Sequence, residues 1–252
     1  EIMPSLVGSE MCIRDSSAQA VRSALFAMPE RPKNIHAESD TMLDKSLPYK
    51  SIIMRMEAAV AERLAPPAPA AGYRIRPFAP GDERHWARIE TSVGEFSEEA
   101  AARAYFERVY LPEAALRCLF VVTERDEPVA TATTWTEEEA SLRQLQLQWV
   151  AVEPAHQGRG LGRAIATAAV RRAVRLAPGE AILLHTQTWS HRALRLYRSL
   201  GFRFCRTQTI VMRSKEGTGM KRYPNEFEEA MEVLRRTVAP AEIDEWRRTA
   251  FR

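Results

Sequence analysis

The chain has 252 residues, 45% of them hydrophobic and 27% charged, with 11 glycines and 15 prolines; this composition excludes collagen-like and wholly disordered proteins. No run of about 18 apolar residues occurs, so no transmembrane helix is expected, and a formal charge of +3 is too mild to call for nucleic acid by itself. Cys12, Cys118 and Cys205 are odd in number and widely spaced, which argues against a disulfide framework or a zinc site and for a reducing cytoplasm.

The first segment stands apart. Residues 7–15 resemble the translation of a transposase adapter used in sequencing libraries, so residues 1–16 are read as a non-native leader and a native start is expected at Met42. Residues 17–72 form an N-terminal extension that ends in an Ala/Pro-rich linker, 65–72, whose prolines cannot continue a helix. Within it, Ile52 and Ile53 lie in a short candidate strand.

The main domain is expected over 73–213. Alternation predicts a strand at 73–78. Asp82 is a natural N-cap for a helix carrying Trp86 and Ile89 on one face. A second helix begins near Ser97, with Glu98 and Glu99 in its first turn and Tyr105, Phe106 and Val109 on its apolar side. Strands follow at 117–123 and 129–135. In the next strand, Leu145, Leu147 and Trp149 share one face and Gln146 and Gln148 the other. That alternation fails at Val150, Ala151 and Val152, where either a change of burial or a β-bulge would explain it.

After Pro154 come Gln157, Gly160 and Gly162, then an alanine-rich helix to about Leu176. A strand at 181–186 leads to a helix that Ser190 can cap, with Ala193, Leu196, Tyr197 and Leu200 on one stripe and Gly201 past its end. A last long strand is expected over 202–212. Residues 214–252 read as a helical extension in which Asn225 caps a helix carrying Phe227, Ala230, Met231 and Leu234. The order of elements implies a mixed α/β sheet with helices on both faces.

Glycines opening a helix let a ligand approach unpaired N–H groups, where the helix dipole favours phosphate. A P-loop would need Lys-Ser/Thr after the last glycine, and Arg163-Ala164 stand there instead. A dinucleotide site would need an acidic residue ending the next strand, which ends in His185-Thr186. A purely structural glycine turn remains open at this point.

The wider context is more specific. Val150-Ala-Val-Glu-Pro-Ala-His-Gln-Gly-Arg-Gly-Leu-Gly162 resembles motif A of the GNAT N-acetyltransferase superfamily, and the run from Ser190 through Ala193, Leu196 and Tyr197 to Gly201-Phe202 resembles its motif B. The likeness covers residues 73–212. It implies a mixed, mostly antiparallel sheet splayed between its fourth and fifth strands. It also implies acetyl-CoA as co-substrate, with no metal. Pantetheine would pair with the backbone of Val150, Ala151 and Val152. Pyrophosphate would sit over the N–H groups of Gly158, Arg159, Gly160, Leu161, Gly162 and Arg163, beside Gln157. Gly160 and Gly162 would be bare so that it can approach.

The implied reaction is direct attack of a primary amine on the thioester through a tetrahedral intermediate. Tyr197 stands at the family's general-acid position. His185 occupies the place of a glutamate base found in some members, and Glu95, in the loop between the first two helices, is the rival as base or amine binder. Two departures matter. Ser190 replaces the usual asparagine that helps hold the cofactor, and the usual seventh strand is not evident after Met212, so the segment around Ile52 and Ile53 is a candidate to take its place. Trp189 is the best of Trp135, Trp149 and Trp189 to line an acceptor pocket. The expectation is a cytoplasmic N-acetyltransferase for a small-molecule or peptide amine, acting on neither nucleic acid nor membrane, with a catalytically inactive CoA-binding module as the alternative. The acceptor and the oligomeric state are not legible.

Overall fold

A computed structural model of the chain describes residues 43–252. The leader expected over 1–16 and the start expected at Met42 lie outside the described residues. In chain order the elements are β1 (Ser51–Met56), α1 (Ala58–Ala61), β2 (Tyr73–Pro77), α2 (Asp82–Ser92), α3 (Glu99–Val109), α4 (Ala114–Arg117), β3 (Cys118–Thr123), β4 (Pro128–Glu139), β5 (Leu142–Val152), α5 (Leu161–Leu176), β6 (Ile182–Gln187), α6 (His191–Leu200), β7 (Arg203–Phe204), β8 (Ile210–Arg213), β9 (Met220–Tyr223), α7 (Phe227–Leu234) and α8 (Pro240–Thr249).

Seven strands form one sheet in the order β2-β3-β4-β5-β6-β1-β7. Every neighbouring pair is antiparallel except β5 with β6, which α5 joins by a crossover. Alternation in β3 sorts its side chains between two cores. Leu119 and Val121 pack towards α5 with Ile165 and Val170. Phe120 and Val122 pack towards α2 and α3 with Trp86, Tyr105 and Phe106. The mixed sheet with helices on both faces is the architecture the element order implied.

β5 and β6 meet at a single register pair, Gln146 with Leu183, and diverge beyond it. The opening lies towards the C-terminal end of β5, where the alternation in the sequence broke. There the register with β4 shifts: Thr131 faces Ala151 and Thr133 faces Gln148, so Trp149 and Val150 together oppose Ala132. This is a β-bulge, and Trp149 takes φ +53°, a left-handed conformation uncommon for a bulky residue.

The sheet differs from the sequence expectation at its far side. The long strand expected over 202–212 is two pieces. β7 stays in the sheet for two residues, and β8 leaves to form a hairpin with β9. β1 fills the gap, with Ile52 opposite Thr186 and Ile53 opposite His185 in β6, and Met54 opposite Phe204 in β7. Ile52, Ile53, Met54 and Met56 have no exposed surface. Burying each such side chain contributes about 1.5–3 kcal/mol, which holds the strand there although the linker separates it from the rest in sequence.

The hairpin lies across the polar face of β5, and this explains the two glutamines. Gln146 Nε2 donates to Val211 O at 2.8 Å, and Gln144 accepts from Val211 N at 3.0 Å and donates to Thr209 O at 2.9 Å. Gln148 Nε2 donates to Gln146 Oε1 at 2.7 Å. These glutamines are buried; Gln144 and Gln146 meet the backbone of Val211 in β8, and Gln148 joins them only through Gln146.

Two helix starts also differ from the expectation. Asp82 is the first residue of α2, not its cap; its carboxylate accepts from Ala79 N at 2.7 Å and pairs with Arg76. Glu226 precedes α7, and Asn225 instead donates to Cys205 O at 2.7 Å. Among the described residues no helix is long and apolar enough to cross a membrane.

Candidate active site

The site is assembled at the divergence of β5 and β6. Gly158 (φ +73°) and Gly160 (φ +75°) turn the chain into α5 through conformations that side chains resist, and a Cβ on either would meet open space. No backbone N–H from Gly158 to Arg163 donates to a described residue. Six unpaired donors at the positive end of a sixteen-residue helix form a cradle for a phosphate oxygen. A Cβ on Gly162 would make ordinary van der Waals contact with Leu196 at 3.5 Å and Val152 at 3.7 Å, so the packing of α5 against α6 and β5 leaves room for a methyl group there.

The other positions expected to meet a cofactor lie around this cradle. Gln157 Nε2 donates to Val152 O at 2.9 Å and ties the loop to the end of β5. Arg159 donates to Ala155 O at 3.3 Å and Arg163 to Ser199 Oγ at 2.5 Å. Ser190 precedes α6 but makes no capping bond; its hydroxyl accepts from Gln187 at 3.2 Å. Val150, Ala151 and Val152 lie on the edge of β5 that β6 has left. A free strand edge leading to an N–H cradle fits the extended, amide-bearing and phosphate-bearing shape of acetyl-CoA.

Beyond the bulge is a cavity of about 280 Å³, walled by the end of α2, β5, β6, α6 and the β8–β9 hairpin. Tyr197, His185, Glu95 and Ser190 all line it, as do Trp149 and Trp189. Trp135 does not; it is buried beneath, 4.9 Å from the Tyr110 ring.

Tyr197 is 8% exposed on the apolar stripe of α6, and its ring packs against Phe202. Burial, reinforced by the negative charges of Glu95 and Glu90, raises its hydroxyl above the ordinary phenol range. His185 Nε2 is 3.0 Å from Ser51 Oγ and its ring lies 4.3 Å from that of Tyr223. Burial, with Lys215 and Lys221 nearby, pushes its pKa down to about 3, so the imidazole is neutral at physiological pH. Glu95 accepts from Lys215 Nζ at 3.1 Å and from Gln187 at 3.5 Å. The same ammonium lies 4.6 Å from the Phe96 ring centre and 4.9 Å from that of Trp149. This corner therefore already accommodates a primary ammonium between aromatic faces and a carboxylate.

Among the cavity residues that the sequence reading did not single out, Lys45, Glu90, Arg213 and Lys215 have acidic or basic side chains. Glu90, on the last turn of α2, is 1% exposed, and its Oε1 is buried without a hydrogen-bond partner. Burial, and next the charge of Glu95, raises its pKa well above the usual carboxylate range, against a smaller opposing pull from Lys215. The signal was present: Glu90 is four residues after Trp86 and three before Val93, inside the apolar stripe of its helix.

Residues 83–202 match the model of the acetyltransferase (GNAT) family, and the chain carries a GNAT acetyltransferase domain over that span. The chain is 31% identical over 161 residues to a mycothiol acetyltransferase of Kineococcus radiotolerans, covering 60% of this chain and 50% of that protein. Among solved structures it is similar to a GCN5-related N-acetyltransferase from Sphaerobacter thermophilus, at 23% identity and TM-score 0.48, over 62% of this chain and 49% of the other. It is also similar to a GNAT-family acetyltransferase from Colwellia psychrerythraea, at 11% identity and TM-score 0.49, over 62% and 54%. The chain thus spans about half the length of these relatives.

Proposed function

We propose that the protein is an N-acetyltransferase that moves the acetyl group of acetyl-CoA to a primary amine on a small molecule or peptide. The observation that carries this reading is the adjoining of two features. An unpaired N–H cradle and free strand edge suit the CoA, and they open into a cavity lined by carboxylates and by Tyr197. The relative named for mycothiol acetylation supports the class of reaction.

In this reading the cradle from Gly158 to Arg163 binds pyrophosphate, with Arg159 and Arg163 adding charge. The edge from Val150 to Val152 pairs with the pantetheine amides. The thioester then lies beside the bulge, where backbone N–H freed from regular pairing stabilises the developing oxyanion. The amine lone pair forms the new C–N bond, the C–S bond breaks, and Tyr197 supplies a proton to the departing sulfur. Its raised pKa keeps that proton in place until it is needed. Glu95 offers an anion to an incoming ammonium. His185, held neutral, serves as a hydrogen-bonding wall and not as the base. Ser190 and Gln157 shape the mouth of the cofactor channel.

The test is release of free thiol from acetyl-CoA in the presence of glucosamine, spermidine, benzylamine and a dipeptide, each compared with an alcohol of similar size. The reading expects amine-dependent release and an amide product. Release that is equally fast with alcohols, or absent with every amine, would contradict it.

A further inference from the structure

We propose that Glu90 is the proton-accepting residue of the acetyl transfer, taking the proton of the acceptor amine from the floor of the cavity. The proposal rests on the N-acetyltransferase reading and extends it to a residue that the sequence motifs do not contain.

Three observations support it independently of titration. The Glu90 carboxyl is almost fully buried, yet no described group donates a hydrogen bond to it and Oε1 is sealed from solvent. Buried carboxylates normally have partners because leaving one unpaired is costly. The carboxyl also borders the same cavity as Tyr197, the proposed acid, and Glu95, the proposed ammonium binder. Finally, the backbone fixes its place: Glu95 N donates to Glu90 O at 3.0 Å, closing the end of α2 and holding both carboxylates at one wall. A partner supplied by the substrate would complete the missing hydrogen bonds.

The proton balance is complete. The ammonium gives one proton to the Glu90 carboxylate, and the neutral nitrogen attacks the thioester carbon. The attacking nitrogen, now cationic in the tetrahedral intermediate, loses its second proton to solvent; the C–S bond breaks, and the thiolate takes the Tyr197 proton, so one proton is released per turnover. Return of the proton from Glu90 to Tyr197 through solvent resets the site. An amine with a pKa of about 10.4 is almost wholly protonated at neutral pH, so such an acceptor has a task. Burial and Glu95 raise the Glu90 pKa, which brings the carboxylate closer to neutrality and makes it a stronger base than an exposed one. The other charged or titratable groups facing this cavity are Lys45, Tyr49, His185, Tyr197, Arg213, Lys215 and Tyr223. Of these, Lys215 opposes the shift at Glu90.

The experiment is steady-state kinetics of the full chain and of Glu90→Gln and Glu90→Asp, with the best amine of the panel, from pH 6 to 10. Acetyl-CoA binding, followed by thermal shift, checks that each variant is folded. The expected result is a loss of about 10²–10⁴-fold in kcat for Glu90→Gln near neutrality. That deficit should shrink as the pH approaches the amine's own pKa, where a base is no longer needed. Glu90→Asp should recover part of the rate. An active wild type with an unchanged kcat in a folded Glu90→Gln overturns the role of Glu90 alone. So does a rise in KM at unchanged kcat, or a deficit that ignores pH. A wild type that acetylates no amine while still binding acetyl-CoA overturns the transferase reading and this assignment together.

Discussion

At the residue scale, burial pushes three side chains on one cavity towards their uncharged forms. Glu90 is pushed up by burial and by Glu95, His185 is pushed down by burial and by two lysines, and Tyr197 is pushed up by burial and both carboxylates. The His185 shift makes a stability prediction. Unfolded, its pKa is near 6.5; folded, about 3. Above pH 6.5 both states are neutral and nothing is gained or lost. Below it the unfolded chain binds a proton that the native chain refuses, so stability falls as the pH drops towards 3, by about 1.4 kcal/mol per unit at most. His185→Gln should flatten that acid limb in denaturant titrations at pH 4–7; an unaltered limb would mean the imidazole is not so constrained. Tyr197→Phe should lower kcat by about 10²–10⁴-fold while the acetyl-CoA thermal shift persists, and unchanged turnover would remove the acid role. Tyr197 was legible because a motif and a helical stripe both pointed to it. Glu90 was not, because a glutamate in a helix reads as a solvated face until its neighbours on the stripe are counted.

At the element scale, the start of α5 and the end of α6 use glycine for different reasons. Gly160 has a positive φ and open space around it, so Gly160→Ala adds strain and places a methyl group at the cradle. It should weaken acetyl-CoA binding more than it lowers the melting temperature. Gly201 has φ +105°, and a Cβ there would lie 2.6 Å from Val60 Cγ1. Gly201→Ala should therefore destabilise the fold by about 1–3 kcal/mol, measured by urea unfolding, with acetyl-CoA affinity preserved in the folded fraction. The bulge in β5 was legible as a break in alternation at Val150, and the glycine turn as a helix start. The course of β8 was not. Residues 202–212 have the apolar character of one strand, but Gln144 and Gln146 of β5 bind the β8 backbone, and β1 occupies the position the strand would have continued into.

At the scale of the whole molecule, the sheet depends on a strand that precedes the linker. β1 pairs with β6 over six positions and contributes four fully buried side chains to both faces. A fragment beginning at residue 73 should fail to fold, and in the full chain the amides of Ile52 and Ile53 should exchange only with global unfolding. Fast exchange at those amides would show that β1 is not integral. The sequence placed Ile52 and Ile53 in a candidate strand, yet nothing local could show which edge they join, because pairing over more than one hundred residues is set by the gap that α6 and β7 leave open. The same long-range assembly brings Ser51 to His185 and closes the cavity around Glu90.

The central claim is that the free edge of β5 and the cradle at α5 hold acetyl-CoA. It is tested most directly by thermal unfolding of the chain with acetyl-CoA, ATP or NAD, each present in large excess. A ligand at about one hundred times its dissociation constant stabilises the native state by roughly 2.7 kcal/mol. The account predicts a rise in melting temperature with acetyl-CoA alone, abolished or weakened in Gly160→Ala. An equal rise with ATP or NAD, or none with acetyl-CoA in a folded sample, would contradict it.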